Sequence, residues 1–339
     1  MKHQYNRRKF IEMAAVAGTS IGLSGILNPV MAKAPLQKGK RVGIIGLDTS
    51  HAVAFTKTLN AADTAGVYLG YKVVAAYPQG SLDIRSSIER VPGYIEDVKK
   101  LGVEIVSSID ELLKKVDVVL LETNDGRRHL EQALPVLKAG KHMFIDKPIA
   151  ASLADATAIF KASEKYKTPI FSSSSLRYME GLEEARNGKF GKVLGAQTYS
   201  PSPLEPTHPD FFWYGIHGVE MLFTIMGTGC KSVSRVHTAD TDLVVGLWEG
   251  NRIGTFRGLR SGKRDYGITV FGENDIVELN NFKGYNPLLQ KIVRFFETGE
   301  APVNPKETLE ICAFIEAADE SKKNNGASVN IEAVFNKVK

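Results

Sequence analysis

Arg41-Val42-Gly43-Ile44-Ile45-Gly46-Leu47-Asp48-Thr49-Ser50-His51 is the stretch from which the architecture is read. Val42 to Ile45 is a short unbroken apolar run, Gly46 offers a turn, and a helix-compatible stretch continues from Ser50 to about Ala62. An apolar run without alternation suits a strand buried on both faces, as parallel sheets require. The unit recurs. Strand-like runs at Tyr71–Tyr77, Val103–Val106, Asp117–Leu121, His142–Ile145 and Pro169–Phe171 are separated by helical segments, notably Arg127–Ala139 and Ser152–Tyr166. Strands alternating with helices predict a doubly wound α/β domain over 38–172, with ligands bound beyond the carboxyl ends of its strands.

From about Gly191 the rhythm changes. Strand-like runs follow one another at Val193–Tyr199, Ser232–Thr238, Leu243–Trp248, Arg252–Arg257, Tyr266–Phe271 and Ile276–Leu279, with one helix, Gly215–Met226, inserted early. This predicts an α+β domain over 173–339 with a large, mostly antiparallel sheet. Closing helices at Pro287–Glu297 and Pro305–Lys322 are free to pack back on the first domain. A length of 339 residues suits two cores, and 43% hydrophobic with 24% charged residues is a globular balance. The net charge of +5 does not point to nucleic acid: residues 1–34 hold five bases against one acid, and the rest holds 38 against 37.

That basic start has its own reading. Asn6-Arg7-Arg8-Lys9-Phe10-Ile11-Glu12 leads into a weakly apolar stretch and ends in Ala32-Lys33-Ala34, the profile of a signal peptide of twin-arginine type over 1–34. Met13 to Leu27 is too short and too glycine-rich for a bilayer span, so no membrane association is expected once the signal is removed. The expectation is export to the periplasm; the bland alternative is a charged N-terminus on a cytoplasmic protein. Cys230 and Cys312 are read as buried free thiols.

The turn after the first strand is where a dinucleotide would sit, framed by Gly46, Asp48, Thr49, Ser50 and His51. Of the three glycines in a G-x-G-x-x-G turn only the first is present, and Asp48 and His51 occupy the other two places. Asp48 must then point away from a pyrophosphate, and either Asp48 or Ser50 is expected to cap the helix. A purely structural turn stays open as the alternative. Tyr77-Pro78-Gln79-Gly80-Ser81 ends the second strand without the carboxylate that usually holds a ribose, leaving Arg85 as candidate reader of a 2′-phosphate or as a solvated helix charge.

Glu122-Thr123-Asn124-Asp125-Gly126-Arg127-Arg128-His129 and Ala139-Gly140-Lys141-His142-Met143-Phe144-Ile145-Asp146-Lys147-Pro148 carry the functional signal. In order and spacing they resemble the Gfo/Idh/MocA family of sugar and cyclitol oxidoreductases, with its T-P-N-x-x-H-like loop, A-G-K-H-V and E-K-P motifs. The resemblance implies a Rossmann domain binding NAD or NADP, with NAD slightly favoured, and a carbohydrate substrate. It makes Lys147 the active-site lysine, puts Asp146 beside the nicotinamide ribose, and sets Thr123 and Asn124 at the border of that site. Phe211-Phe212-Trp213-Tyr214-Gly215-Ile216-His217-Gly218-Val219-Glu220 is similar to the family's D-x-G-x-H-x-x-D segment. It implies His217 as general acid/base, imidazole being the side chain that titrates near neutrality. Trp213 replaces one family aspartate and Glu220 the other, so a ring face for sugar stacking is expected at Trp213 beside Tyr214.

Arg177-Tyr178 resembles the family's R-F/Y pair, implying Arg177 near the cofactor and Tyr178 near the substrate. His208 and Asp210 are expected to frame the pocket mouth, His129 to be structural, and no metal is expected. Three functions are carried forward: an NAD(P)-dependent oxidoreductase on a sugar, polyol or glycoside; a cofactor-retaining, redox-neutral enzyme cleaving or epimerising glycosides; and a non-catalytic sugar-binding protein. An open antiparallel sheet commonly needs covering, so a homodimer or homotetramer is expected.

Overall fold

The computed structural model describes residues 40–62 and 66–338. The signal-peptide reading of 1–34 lies outside them. In chain order the elements are β1 (Arg41–Ile45), α1 (Ser50–Asn60), β2 (Lys72–Tyr77), α2 (Arg85–Lys100), β3 (Glu104–Ile105), α3 (Ile109–Lys115), β4 (Val118–Leu121), α4 (His129–Lys138), β5 (Met143–Asp146), α5 (Leu153–Tyr166) and β6 (Ile170–Ser173). After α6 (Leu182–Arg186) come β7 (Val193–Pro201), α7 (Ile216–Met226), β8 (Cys230–His237), β9 (Thr241–Trp248), β10 (Arg252–Leu259), β11 (Gly267–Gly272) and β12 (Ile276–Leu279). The chain closes with α8 (Asn286–Thr298), α9 (Pro305–Lys323), β13 (Val329–Asn330) and α10 (Ile331–Asn336).

The first six strands form one sheet in the order β3-β2-β1-β4-β5-β6, every pair parallel. The strands β4, β5 and β6 are buried at every position, β4 as an unbroken apolar run and the other two with polar residues only at their carboxyl ends. The strand order reverses at β1, between β2 on one side and β4 on the other, which opens the crevice where such sheets bind ligands. The other seven strands run β12-β11-β7-β10-β9-β8-β13, antiparallel except for the β7–β10 pair. Both sheets belong to one compact unit.

The closing helices divide their packing. Leu288, Leu289, Ile292, Val293, Phe295 and Phe296 of α8 share a core with Ile44, Leu120, Phe144 and Phe171, so α8 returns to cover the parallel sheet. Phe295 meets Phe171 edge-on at 4.9 Å between ring centroids. In contrast, α9 puts Ile311, Phe314 and Ile315 into the core of the second sheet, with Phe223 of α7 and Trp248 of β9. Cys230 and Cys312 are buried free thiols, as expected. No helix of the described residues is long and apolar enough to cross a membrane.

Candidate active site

A cavity of about 370 Å³ opens at the carboxyl edge of the parallel sheet, and both chemistry-bearing residues read from the sequence face it. Lys147 directly follows β5, and His217 stands in the first turn of α7, entered through the single π-helical turn Phe211–Gly215. Each is only 6% exposed, yet both line the cavity. The Lys147 ammonium lies 5.6 Å from the centre of the Tyr214 ring, which meets the His217 ring edge-on at 5.2 Å. Trp213 and Tyr214 line the same space.

His217 is fixed through one nitrogen. Its Nδ1 is hydrogen-bonded to the Ser174 hydroxyl at 2.7 Å. Burial, then the charges of Lys147 and His51, hold the imidazole well below its ordinary value, so it is neutral and able to accept a proton. One turn further along α7, Glu220 faces away from the cavity. Its carboxylate accepts from Ser173 Oγ, Ser174 N and Arg177 Nε, tying the end of β6 to α7.

The turn after β1 departs from expectation in an instructive way. Gly46 has φ +88°, and a side chain there would overlap Thr123. Thr49, not Asp48 or Ser50, caps α1 by accepting from His51 N. Asp48 is fully buried and accepts from Ser81 N at 2.9 Å and Asn124 N at 3.0 Å, so it laces the loops after β2 and β4 to β1. Burial raises its carboxyl, and the two amides partly restrain that rise. A side chain at Gly80 would overlap this carboxylate. With the charge of Asp48 turned inward, the Gly46 turn and the Thr49–Ser50 end of α1 fit a dinucleotide, although only one fingerprint glycine is kept.

Several expected contacts are corrected. Arg177 is not at the cofactor crevice: it is buried between Glu220, 2.8 Å from Nε, and Glu307, 2.6 Å from Nη1. Tyr178 lies beside it, with Lys291 over its ring, at a separate hollow. His208 does not frame the mouth; its Nε2 lies 3.1 Å from Asp125, and its ring packs on Trp213. Asp210 is engaged by Arg235 and Lys322. Thr123 is sealed behind Gly46, whereas Asn124 does line the cavity. Arg85 pairs with Glu89 in solvent. His129 is structural as expected, bonded to the carbonyls of Thr123 and Ile149.

Asp146 is not open to the cavity either. Its Oδ2 lies 2.9 Å from His51 Nδ1, and its Oδ1 accepts from Lys147 N. Burial alone would raise this carboxyl, but the charges of His51 and Lys147 hold it down at about 2. Glu122, passed over in the sequence, completes the group: its Oε2 is 4.0 Å from His51 Nδ1 and neither oxygen has a hydrogen-bond partner. Burial, then Asp146, raises its carboxyl well above the usual range. Donor atoms of His51, Glu122 and Asp146 lie within 4.8 Å of one another, a spacing open to a metal ion as well as to a shared proton. The sequence reading also missed Ser86, Arg90 and Tyr94, which line the cavity from α2. Their spacing of four along one helix was the available signal.

Residues 40–173 match the family described as GFO_IDH_MocA, "Oxidoreductase family, NAD-binding Rossmann fold". A myo-inositol 2-dehydrogenase of Thermotoga maritima is 27% identical over 274 residues, covering 72% of this chain and 76% of that protein. Glycosyl hydrolase family 109 protein 1 of Bacteroides fragilis is 24% identical over 60% of this chain and 47% of its own length. In three dimensions, scyllo-inositol dehydrogenase from Lactobacillus casei, solved with NAD(H) and scyllo-inositol, shares the fold. Its TM-score is 0.68 at 15% identity, covering 86% of this chain and 99% of that one.

Proposed function

We propose that the protein is an NAD(P)-dependent oxidoreductase acting on a sugar, polyol or glycoside, with Lys147 and His217 as its acting pair. The observation carrying this reading is that the two residues, 70 positions apart, face one cavity at the carboxyl edge of the parallel sheet. A bound nicotinamide dinucleotide would supply the hydride acceptor. The Gly46 turn, Thr49, Ser50 and Asn124 are the residues that would hold it, with NAD favoured because Arg85 is spent on Glu89. The Lys147 ammonium orients the substrate oxygen and offsets negative charge on it. Neutral His217 takes the hydroxyl proton, and Trp213 with Tyr214 offers ring faces to the sugar. The test is reduction of added NAD or NADP by a panel of inositols and aldoses, with loss of the signal in His217→Ala.

Similarity to the glycosyl hydrolase favours a second reading, a cofactor-retaining, redox-neutral glycoside-cleaving or epimerising enzyme. The twin-arginine-type start supports it too, since an exported enzyme meets no pool of free NAD. NAD retained through purification without turnover of added NAD would select this reading. Absence of nucleotide would select a non-catalytic sugar-binding protein.

The assembly proposed is a homodimer or homotetramer through the outer face of the second sheet. Leu247, Ile253, Phe271 and Ile276 stand in register across β9, β10, β11 and β12, with Gly195 of β7 between the second and third. All four are exposed, Ile276 by 63%. A continuous apolar row of this kind asks for a partner.

A further inference from the structure

The charge facing the cavity is one-sided. Among the described residues, Lys147 and Arg90 are the Lys and Arg side chains that line it, and no Asp or Glu does. Acids are not scarce nearby: five of the lining residues have one as an immediate neighbour in the chain. Each of these acids is committed elsewhere. Asp48 holds Ser81 N and Asn124 N, Glu89 holds Arg85, and Asp125 holds Arg127 with His208 alongside. Asp146 is taken by His51 and Lys147 N, and Asp265 by Tyr266 N.

Arg90 is the cation left over. It stands on α2 four residues from Ser86 and four from Tyr94, so the three share one face of the helix and line the cavity together. Its side chain is exposed and, among the described residues, has no ion pair and no hydrogen bond. Lys147 at least has the Asp146 carboxylate on its own backbone amide. The phosphates of a dinucleotide do not call for Arg90, because the Gly46 turn and the start of α1 are the places that would take them.

We propose that the cavity takes an acidic sugar, a hexuronate or a glycoside of one, with Arg90 pairing its carboxylate while Lys147 meets the oxygen of the carbinol to be oxidised. This rests on the reading of the cavity as a sugar or polyol site. A guanidinium presents parallel N–H donors that match the two oxygens of a carboxylate. A phosphate ester would bring about two negative charges to a single open cation. A neutral sugar is the poorer guest for another reason: its hydroxyls donate as well as accept, and no carboxylate on the wall is there to receive them. Arg90 is thus a specificity residue and takes no part in moving protons.

The test titrates glucuronate, galacturonate, glucose, galactose and glucose 6-phosphate into the full chain by calorimetry, and follows oxidation of the same sugars with NAD and NADP. At least one hexuronate should bind about 10–100-fold tighter than its neutral hexose, the factor that a charge-assisted hydrogen bond supplies. Added salt should weaken the hexuronate and spare the hexose. Arg90→Gln should erase the difference without weakening nucleotide binding, and Arg90→Lys should restore part of it. Equal affinity for hexuronate and hexose, or a difference that survives in Arg90→Gln, overturns the proposal. So does tighter binding of glucose 6-phosphate than of either hexuronate. Loss of nucleotide affinity in Arg90→Gln assigns the guanidinium to the cofactor and overturns it as well. A hexuronate bound but oxidised with neither nucleotide overturns the oxidoreductase reading alone, whereas oxidation of the neutral sugars alone overturns only the acidic-sugar assignment. No binding of any of the five overturns both.

Discussion

Asp48→Gly would bring the turn after β1 closer to the usual fingerprint, and the structure says it will weaken the protein. The Asp48 carboxylate is the acceptor for two backbone amides, Ser81 N and Asn124 N. Glycine offers neither amide a replacement. An orphaned buried donor costs about 1–3 kcal/mol, so the two together cost about 2–6 kcal/mol. Relief of a buried carboxyl already raised by its surroundings offsets part of that, and a loss of about 2–4 kcal/mol is expected. Urea unfolding of the full chain at neutral pH measures it as a lower midpoint with little change in slope. A loss below about 0.5 kcal/mol would mean that water replaces the carboxylate. Unchanged stability with tighter nucleotide binding would place Asp48 at the pyrophosphate and refute the lacing described above.

The remaining predictions concern chemistry, titration, assembly and export. His217→Ala should lower turnover by about 10²–10⁴-fold while nucleotide binding persists, whereas Lys147→Ala should also raise KM, both read by steady-state kinetics and nucleotide titration. Because the Glu122 carboxyl is raised in the folded state, the native protein binds more protons between the unfolded and folded values, and stability falls as pH rises through that window. Glu122→Gln removes this dependence, so its gain in melting temperature over the parent should grow with pH from about pH 4; a gain that grows toward acid refutes the assignment. Ile253→Glu should shift the sedimenting species to lower mass at micromolar concentration, and an unchanged profile would clear the apolar row of any role in assembly. Replacing Arg7 and Arg8 by lysine should leave unprocessed protein inside the cell, which fractionation and N-terminal sequencing would show.

The parallel sheet was legible because its strands are buried on both faces, and the run Val42–Ile45 leaves little choice of architecture. Lys147 and His217 were legible through family motifs, and their meeting needed only that both follow elements ending at one edge. The failures share a cause. Arg177, His208 and Asp210 are polar residues next to motifs, and sequence does not reveal that Glu307, Asp125 and Arg235, from distant parts of the chain, engage them. Asp48 was misread as a helix cap because its partners lie 33 and 76 positions away. Glu122 was invisible because a lone acid at the end of a strand carries no periodic or spacing signal.

Arg177, Glu220 and Glu307 also bear on when the site comes into being. Glu220 rides on the same helix as His217, while Glu307 belongs to α9, near the end of the chain. During synthesis the parallel sheet emerges first and can collapse on its own apolar strands. Until α9 has left the ribosome, the buried guanidinium has only one of its two counter-charges and the core of the second sheet lacks Phe314. The Glu220–Arg177–Glu307 bridge behind α7 is therefore among the last features of this molecule to be finished, and a chain stopped before residue 305 would carry Lys147 and His217 without it.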